Sequence, residues 1–96
     1  MIVHIVIFKF KDENKDENLL VVKSKLEELI SKIPMLNSIE VGVNFSNEDR
    51  AFDLSLHSTF NTKDDLKLYA IHPEHLKVVD IIKSVSLESK VVDYEI

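Results

Sequence analysis

Tyrosine, histidine and proline residues are concentrated in one short stretch, residues 69–75, which reads Tyr-Ala-Ile-His-Pro-Glu-His. An imidazole gives or takes a proton near neutral pH, and a phenol can donate a hydrogen bond to a carbonyl oxygen on which charge develops. Tyr69 and His75 are therefore candidates for general acid–base chemistry. His4 is a third candidate, because it lies among apolar residues that would partly bury its ring.

Each of these side chains also has a structural interpretation. His4 could be a core histidine whose ring nitrogens bond to neighbouring groups. Tyr69 could pack its ring against a sheet while its hydroxyl reaches a backbone group. His72 stands before Pro73, where it is best explained as the cap of a helix that begins at the proline.

A metal site is a weaker alternative. His72 and His75 are spaced i and i+3, and His4 or Glu74 would have to supply a third ligand. Two histidines at this spacing, with a proline between them, are a weak signal. We therefore expect no metal ion and no cofactor.

The composition excludes several other classes of protein. The net charge is −5, whereas nucleic-acid binding needs a clustered basic surface. The chain has no cysteine, which excludes disulfides, and its single glycine excludes glycine-rich phosphate loops. No apolar run approaches the roughly 20 residues that span a bilayer. We expect one domain, residues 1–96, in a soluble cytoplasmic protein that binds neither nucleic acid nor a membrane.

The first predicted strand, residues 2–10, would hold His4. Its two alternating faces are both apolar, with Ile2, Val6, Phe8 and Phe10 beside His4 on one face and Val3, Ile5 and Ile7 on the other. One layer of helices can cover only one face of a sheet. The other face needs a different partner.

Two stretches have helical periodicity. The first ends at Pro34, because the residue before a proline is disfavoured in a helix, and its apolar stripe is Leu19, Val22, Leu26, Leu29, Ile30 and Ile33. The second is split by proline: a short helix is predicted from the capping residue Thr62 to Tyr69, and another begins at Pro73. The stripe of this last helix is His75, Val78, Val79 and Ile82.

Alternation predicts three further strands, at residues 38–45, 51–60 and 90–96, the first two forming an antiparallel hairpin. The order strand, helix, strand, strand, helix, strand predicts a ferredoxin-like α+β fold, βαββαβ, with a four-stranded antiparallel sheet and helices on one face. The simplest cover for the other face is a second copy of the chain. We therefore predict a homodimer through the sheet face.

Three segments are similar to a known family. Residues 4–11, 69–75 and 91–95, in this order over essentially the whole chain, resemble the stress-responsive dimeric α/β-barrel (Dabb) family. The most specific part is the His-Pro-Glu-His segment with a tyrosine three residues before it. The resemblance implies a homodimer in which two four-stranded sheets form a barrel with the helices outside.

The resemblance also implies a site. A plant branch of the family cyclises linear polyketides with a tyrosine and histidines in a pocket between sheet and helices, and these match His4, Tyr69 and His75. A further histidine of that branch falls at Leu54, so the set used for polyketide cyclisation is incomplete here. The expected lining of the pocket is Val6, Phe8, Leu54, Leu56, His72 and Val78.

Three functions are consistent with these residues. The first is cofactor-free acid–base chemistry on a small carbonyl-bearing or aromatic, polyketide-like molecule. The second is a non-enzymatic dimer with a stress-related or ligand-binding role and a filled pocket. The third is a haem-degrading monooxygenase, which would need an axial histidine on a helix and a much larger cavity. The size of the cavity beside His4 distinguishes among them.

Overall fold

The computed structural model describes all 96 residues. Four strands form one antiparallel sheet in the order β2-β3-β1-β4. They are β1 (Ile2–Phe10), β2 (Ser38–Val43), β3 (Leu54–Phe60) and β4 (Ser86–Glu95). The helices are α1 (Lys15–Glu28), α2 (Lys63–Ala70) and α3 (Pro73–Val85). The predicted ferredoxin-like α+β fold is confirmed.

The helices pack against one face of the sheet and enclose an apolar core. Side chains two residues apart on a strand share a face, so β1 contributes Ile2, Val6, Phe8 and Phe10 to this core. α1 adds Leu19, Val22 and Leu26 from one stripe. His4 lies in the same row of β1, where it stands opposite Ser58 of β3 and Asp93 of β4. The fold therefore turns His4 toward the helices.

The first helix ends differently from the prediction. After Glu28 the chain tightens into a 3-10 turn, Leu29–Ser31. A 3-10 helix has about three residues per turn, whereas an α-helix has about 3.6. The change in winding alters which side chains face the core. Leu29 and Ile33 are buried, but Ile30, which was predicted to lie on the buried stripe, is 44% exposed.

Two strands begin at residues other than those predicted. β3 begins at Leu54 and not at residue 51. Just before it, the Asp53 carboxylate accepts a hydrogen bond from the backbone N–H of Phe10 (2.7 Å). β4 begins at Ser86 and not at residue 90, directly after the last residue of α3. The longer β4 pairs with the whole length of β1.

The opposite face of the sheet carries no helix. Ile5 and Ile7 of β1 are only partly buried there, and Val92 and Tyr94 of β4 are exposed. These side chains belong to the second apolar face that the alternation of β1 predicted.

None of the helices is both long enough and apolar enough to cross a lipid bilayer.

Candidate active site

The structure brings the three candidate residues together. His4 lies on β1, Tyr69 in the last turn of α2 and His75 in the first turn of α3. The ring centres of Tyr69 and His75 are 4.3 Å apart, and those of His4 and Tyr69 are 6.4 Å apart. Phe60 of β3 also packs against the Tyr69 ring, at 5.0 Å between centres. Two imidazoles and a phenol thus form one cluster between the sheet and the corner that joins α2 to α3.

This corner sets the positions of Tyr69 and His75. Proline cannot continue a helix beyond its first turn, so α2 ends at Ala70 and α3 starts afresh at Pro73. Nδ1 of His75 lies 3.0 Å from the carbonyl oxygen of Ala70. Because a carbonyl oxygen can only accept, Nδ1 carries the proton and donates it. Nε2 of His75 is then the free acceptor of the neutral ring.

The surroundings of His75 favour its neutral form. Burial, the largest cause, lowers the pKa of His75, the hydrogen bond to Ala70 acts in the opposite direction, and the nearby His4 and His72 lower the pKa further. The net shift is downward from the ordinary value of 6.5. Near neutral pH the ring is therefore uncharged, and its Nε2 lone pair can act as a general base.

Tyr69 is the most enclosed member of the cluster. It is 1% exposed, and its hydroxyl oxygen is buried without a hydrogen-bond partner in the chain. Burial raises the pKa of Tyr69 to about 12. The phenol therefore keeps its proton at neutral pH and can donate a hydrogen bond to an acceptor.

Asp93 is a functional candidate that was not predicted from the sequence. Its carboxylate accepts a hydrogen bond from Nδ1 of His4 on the neighbouring strand. The contact follows from the strand register, since His4 and Asp93 stand directly opposite each other in the β1–β4 pairing. By occupying Nδ1, Asp93 fixes the His4 tautomer and leaves Nε2 as the free nitrogen. The alternation of β4, combined with the strand pairing of this fold, is the signal that could have identified it.

A cavity of about 280 Å³ lies beside the cluster, between the sheet and α3. His4 and His75 line it together with four residues predicted from the sequence, Val6, Phe8, Leu56 and Val78. Tyr69 contacts both imidazoles but does not itself line the cavity. The rest of the lining was not predicted from the sequence and consists of Leu26, Val79, Ile82, Lys83, Ser86, Ser89 and Val91.

Two residues predicted to line this cavity lie elsewhere. Leu54 is at the first position of β3, opposite Phe8, where it is 2% exposed and borders a separate hollow of about 330 Å³. No titratable side chain lines that hollow, so it offers no acid–base chemistry. His72 caps α3, because its Nδ1 accepts a hydrogen bond from the backbone N–H of Glu74 (3.1 Å). Its ring is engaged with its own helix and not with the cavity.

Replacing this cap should have a measurable cost. His72→Ala should lower the free energy of unfolding by about 1 kcal/mol, because the Glu74 N–H loses its acceptor. His72→Asn places a side-chain oxygen at the cap position and should recover most of that loss. Urea unfolding of the three proteins provides the comparison. Equal losses in the two variants would show that His72 contributes through something other than capping.

The fold and the site together define the class of the protein: a ferredoxin-like α+β protein with two histidines and a tyrosine beside a sheet–helix cavity. The sequence model of the family described as the Stress responsive A/B Barrel Domain matches residues 2–96, and the chain belongs to this family. The family assignment made from the three sequence segments is confirmed.

Similar proteins are found among both sequences and solved structures. Stress-response A/B barrel domain-containing protein DABB1 of Arabidopsis thaliana is 30% identical over 94 residues, which cover 95% of this chain and 45% of that protein. This chain thus spans less than half the length of that relative. Olivetolic acid cyclase of Cannabis sativa is 25% identical over 93 residues, covering 95% of this chain and 92% of the cyclase. A dimeric protein of unknown function and ferredoxin-like fold from Bacteroides fragilis has a TM-score of 0.81 and 37% identity, covering 99% of this chain and 95% of that chain.

Proposed function

We propose that the chain forms a homodimer, that the cavity between its sheet and α3 binds a small carbonyl-bearing or aromatic molecule, and that His4, Tyr69 and His75 act on this molecule without a cofactor. The observation that carries the proposal is the pair of imidazoles at one end of a cavity of about 280 Å³, with the Tyr69 ring packed against both of them. Ligand pockets usually measure about 300–1,000 Å³, so this cavity suits a small ligand.

Each of the three side chains has a distinct role in this proposal. The neutral ring of His75 takes a proton from the carbon next to the carbonyl group, through its free Nε2 atom. Tyr69 donates a hydrogen bond to the carbonyl oxygen as negative charge develops there, which gives its unpaired hydroxyl an acceptor. His4, held by Asp93 through Nδ1, presents its Nε2 atom as a second acceptor at the same end of the cavity.

The enclosure of Tyr69 favours a second candidate function, which is binding without turnover. A ligand could lie against His4 and His75 and never reach the phenol, because the Tyr69 hydroxyl is buried. A cavity of about 280 Å³ argues against a filled pocket, and it gives no support to the third hypothesis, which needs a much larger cavity.

The relatives give the catalytic candidate some support. Olivetolic acid cyclase, which is 25% identical to this chain, is an enzyme by its name. The resemblance to the plant branch implies that Leu54 replaces a further histidine of that branch. This difference favours a ligand or a reaction other than that of the cyclase.

The homodimer rests on the uncovered face of the sheet. A second copy would bury the partly covered Ile5 and Ile7 and the exposed Val92 and Tyr94. Burial of apolar surface contributes about 25 cal/mol per Å², so pairing these faces stabilises the assembly. The Bacteroides fragilis protein, at 37% identity, is described as dimeric, which supports the same arrangement.

Substitutions at the cluster test the catalytic candidate, with a substrate found by screening small ketones and aromatic compounds. His75→Ala should lower turnover at least about 100-fold, because the general base is lost, and Tyr69→Phe should lower kcat more than it changes KM. Tyr94→Phe removes the same atom from an exposed tyrosine on the other face and should keep full turnover. Analytical ultracentrifugation checks that every variant has the assembly of the wild type.

Two outcomes distinguish the candidates. Unchanged turnover in His4→Ala, Tyr69→Phe and His75→Ala would reject the catalytic candidate. Saturable binding of a ligand that the wild-type protein leaves chemically unaltered, and that His75→Ala weakens, would favour binding without turnover.

A further inference from the structure

The cavity beside His75 has a second polar end. His4 and His75 form one end, and Lys83, Ser86 and Ser89 line the other. The residues between the two ends are apolar, among them Val6, Leu56, Val78, Val79 and Ile82. Acid–base chemistry uses only the first end. The ammonium and the hydroxyl groups of the second end are therefore free to recognise a different part of the ligand.

Two elements independently place the polar ends far apart. On α3, His75 and Lys83 are separated by eight residues, or roughly 12 Å at about 1.5 Å per residue. On the sheet, Ser89 stands opposite Phe8, four residues along β1 from His4, or roughly 13 Å at about 3.3 Å per residue. A ligand that contacts both ends must therefore be elongated, with an apolar middle part.

The second end is the one that can accept a negative charge. Lys83 is exposed, forms no ion pair with a carboxylate of the chain, and is the one lysine that lines this cavity. A second cation lies close to this part of α3, since the ammonium of Lys11 donates to the carbonyl oxygen of Ser84 (3.2 Å). At the first end, the Asp93 carboxylate beside His4 would repel another anion.

We propose that the ligand is an oxo acid, with its carbonyl group against His4 and His75, its apolar middle part along α3, and its carboxylate against Lys83, Ser86 and Ser89. This inference rests on the proposed function and adds the chemical class of the ligand to it. Because Lys83 is exposed, the carboxylate remains partly hydrated, and the ion pair adds a modest part of the affinity that salt weakens. Its main effect is to determine which end of the ligand reaches the imidazoles.

Isothermal titration calorimetry with matched compounds tests this class. 7-Oxooctanoate and 2-octanone share a ketone and a chain, but only the first has a carboxylate. 4-Oxopentanoate and 2-pentanone form a shorter pair, in which the carboxylate and the ketone are too close together to reach both ends. At low salt we expect 7-oxooctanoate to bind about five-fold more tightly than 2-octanone, and the shorter pair to show no such difference.

Variants on α3 locate the carboxylate. Lys83→Gln should remove the preference for 7-oxooctanoate over 2-octanone. Lys77→Gln neutralises another exposed lysine of the same helix, which does not line the cavity, and should keep the preference. Raising the salt concentration should reduce the preference in the wild type and leave Lys83→Gln unchanged.

The ring resonances of His4 and His75 separate failure of this inference from failure of the proposed function. Suppose that 2-octanone shifts the ring resonances of both histidines, but 7-oxooctanoate binds no more tightly than 2-octanone, or still binds more tightly in Lys83→Gln. The oxo-acid assignment is then overturned and the proposed binding site stands. If neither compound shifts the rings, both proposals fall. Shifts of both rings, together with a preference that depends on Lys83, would support both.

Discussion

Raising the pH from 10 to 12 should destabilise the wild-type protein by about 2 kcal/mol more than the Tyr69→Phe variant. Burial raises the pKa of Tyr69 from the ordinary value of 10 to about 12. A group whose pKa is raised on folding holds its proton more tightly in the folded state. Ionisation of Tyr69 therefore leaves the free energy of unfolding unchanged well below pH 10 and lowers it as the pH rises through the folded pKa.

Urea unfolding at a series of alkaline pH values, followed by circular dichroism in the far ultraviolet, measures this loss. Tyr94→Phe is the matched control, because it removes a hydroxyl from a tyrosine that is 43% exposed in the single chain and leaves Tyr69 in place. Tyr94 lies on the face proposed to meet the second copy, so analytical ultracentrifugation checks that this variant keeps the assembly of the wild type. Tyr94→Phe should lose as much stability as the wild type over the same pH range. Equal losses in the wild type and in Tyr69→Phe would contradict the prediction.

The same substitution is informative at neutral pH. One interpretation of the sequence was that the Tyr69 hydroxyl bonds to a backbone group, but in the structure this hydroxyl is buried without a partner. A buried hydroxyl without a partner costs about 1–3 kcal/mol, so Tyr69→Phe should be at least as stable as the wild type. A tyrosine that stabilises nothing through its hydroxyl, placed between two imidazoles, is the kind of residue that a functional site retains.

The cluster could be predicted from the sequence because its positions depend on a local effect of one proline and on a periodic residue pattern along one strand. Pro73 must interrupt a helix, so Tyr69 and His75 fall on either side of a corner. The alternation of β1 places His4 in the same row as Val6 and Phe8, which face the helices. The remaining step, bringing the corner over β1, follows from the order of the elements in a ferredoxin-like fold.

Other features depend on contacts that the sequence pattern does not specify. Asp93 reaches His4 only through the exact register of two strands that are distant in the chain. Ile30 turns outward because the end of α1 tightens into a 3-10 turn, which an ideal helical period cannot anticipate. Lys83 becomes part of the cavity only because α3 crosses the sheet with its last turn over the far end of β1, and such an orientation is set by packing.

Phe60→Ala should be the most destabilising substitution around the cluster, with a loss of about 3–5 kcal/mol in the free energy of unfolding. Phe60 is 0% exposed, and its ring packs against that of Tyr69 at 5.0 Å between centres. Removing the ring loses the free energy gained by burying it, and it leaves a cavity that the neighbouring side chains fill only in part. Small proteins are stable by only about 5–15 kcal/mol, so this is a large fraction of the total.

Phe45→Ala provides the matched control, because it removes the same atoms from a side chain that is 98% exposed and should change the unfolding free energy by less than about 0.5 kcal/mol. If Phe60→Ala does not fold, Phe60→Leu should fold with a smaller loss. A loss below about 1 kcal/mol in Phe60→Ala would contradict the packing of this core.

Comparison of Phe60→Ala with Tyr69→Phe separates the contribution of ring packing to stability from the contribution of the Tyr69 hydroxyl. Loss of the supporting ring of Phe60 lowers stability, whereas loss of the Tyr69 hydroxyl does not, so only the second substitution isolates the chemistry of the cavity from the stability of the fold.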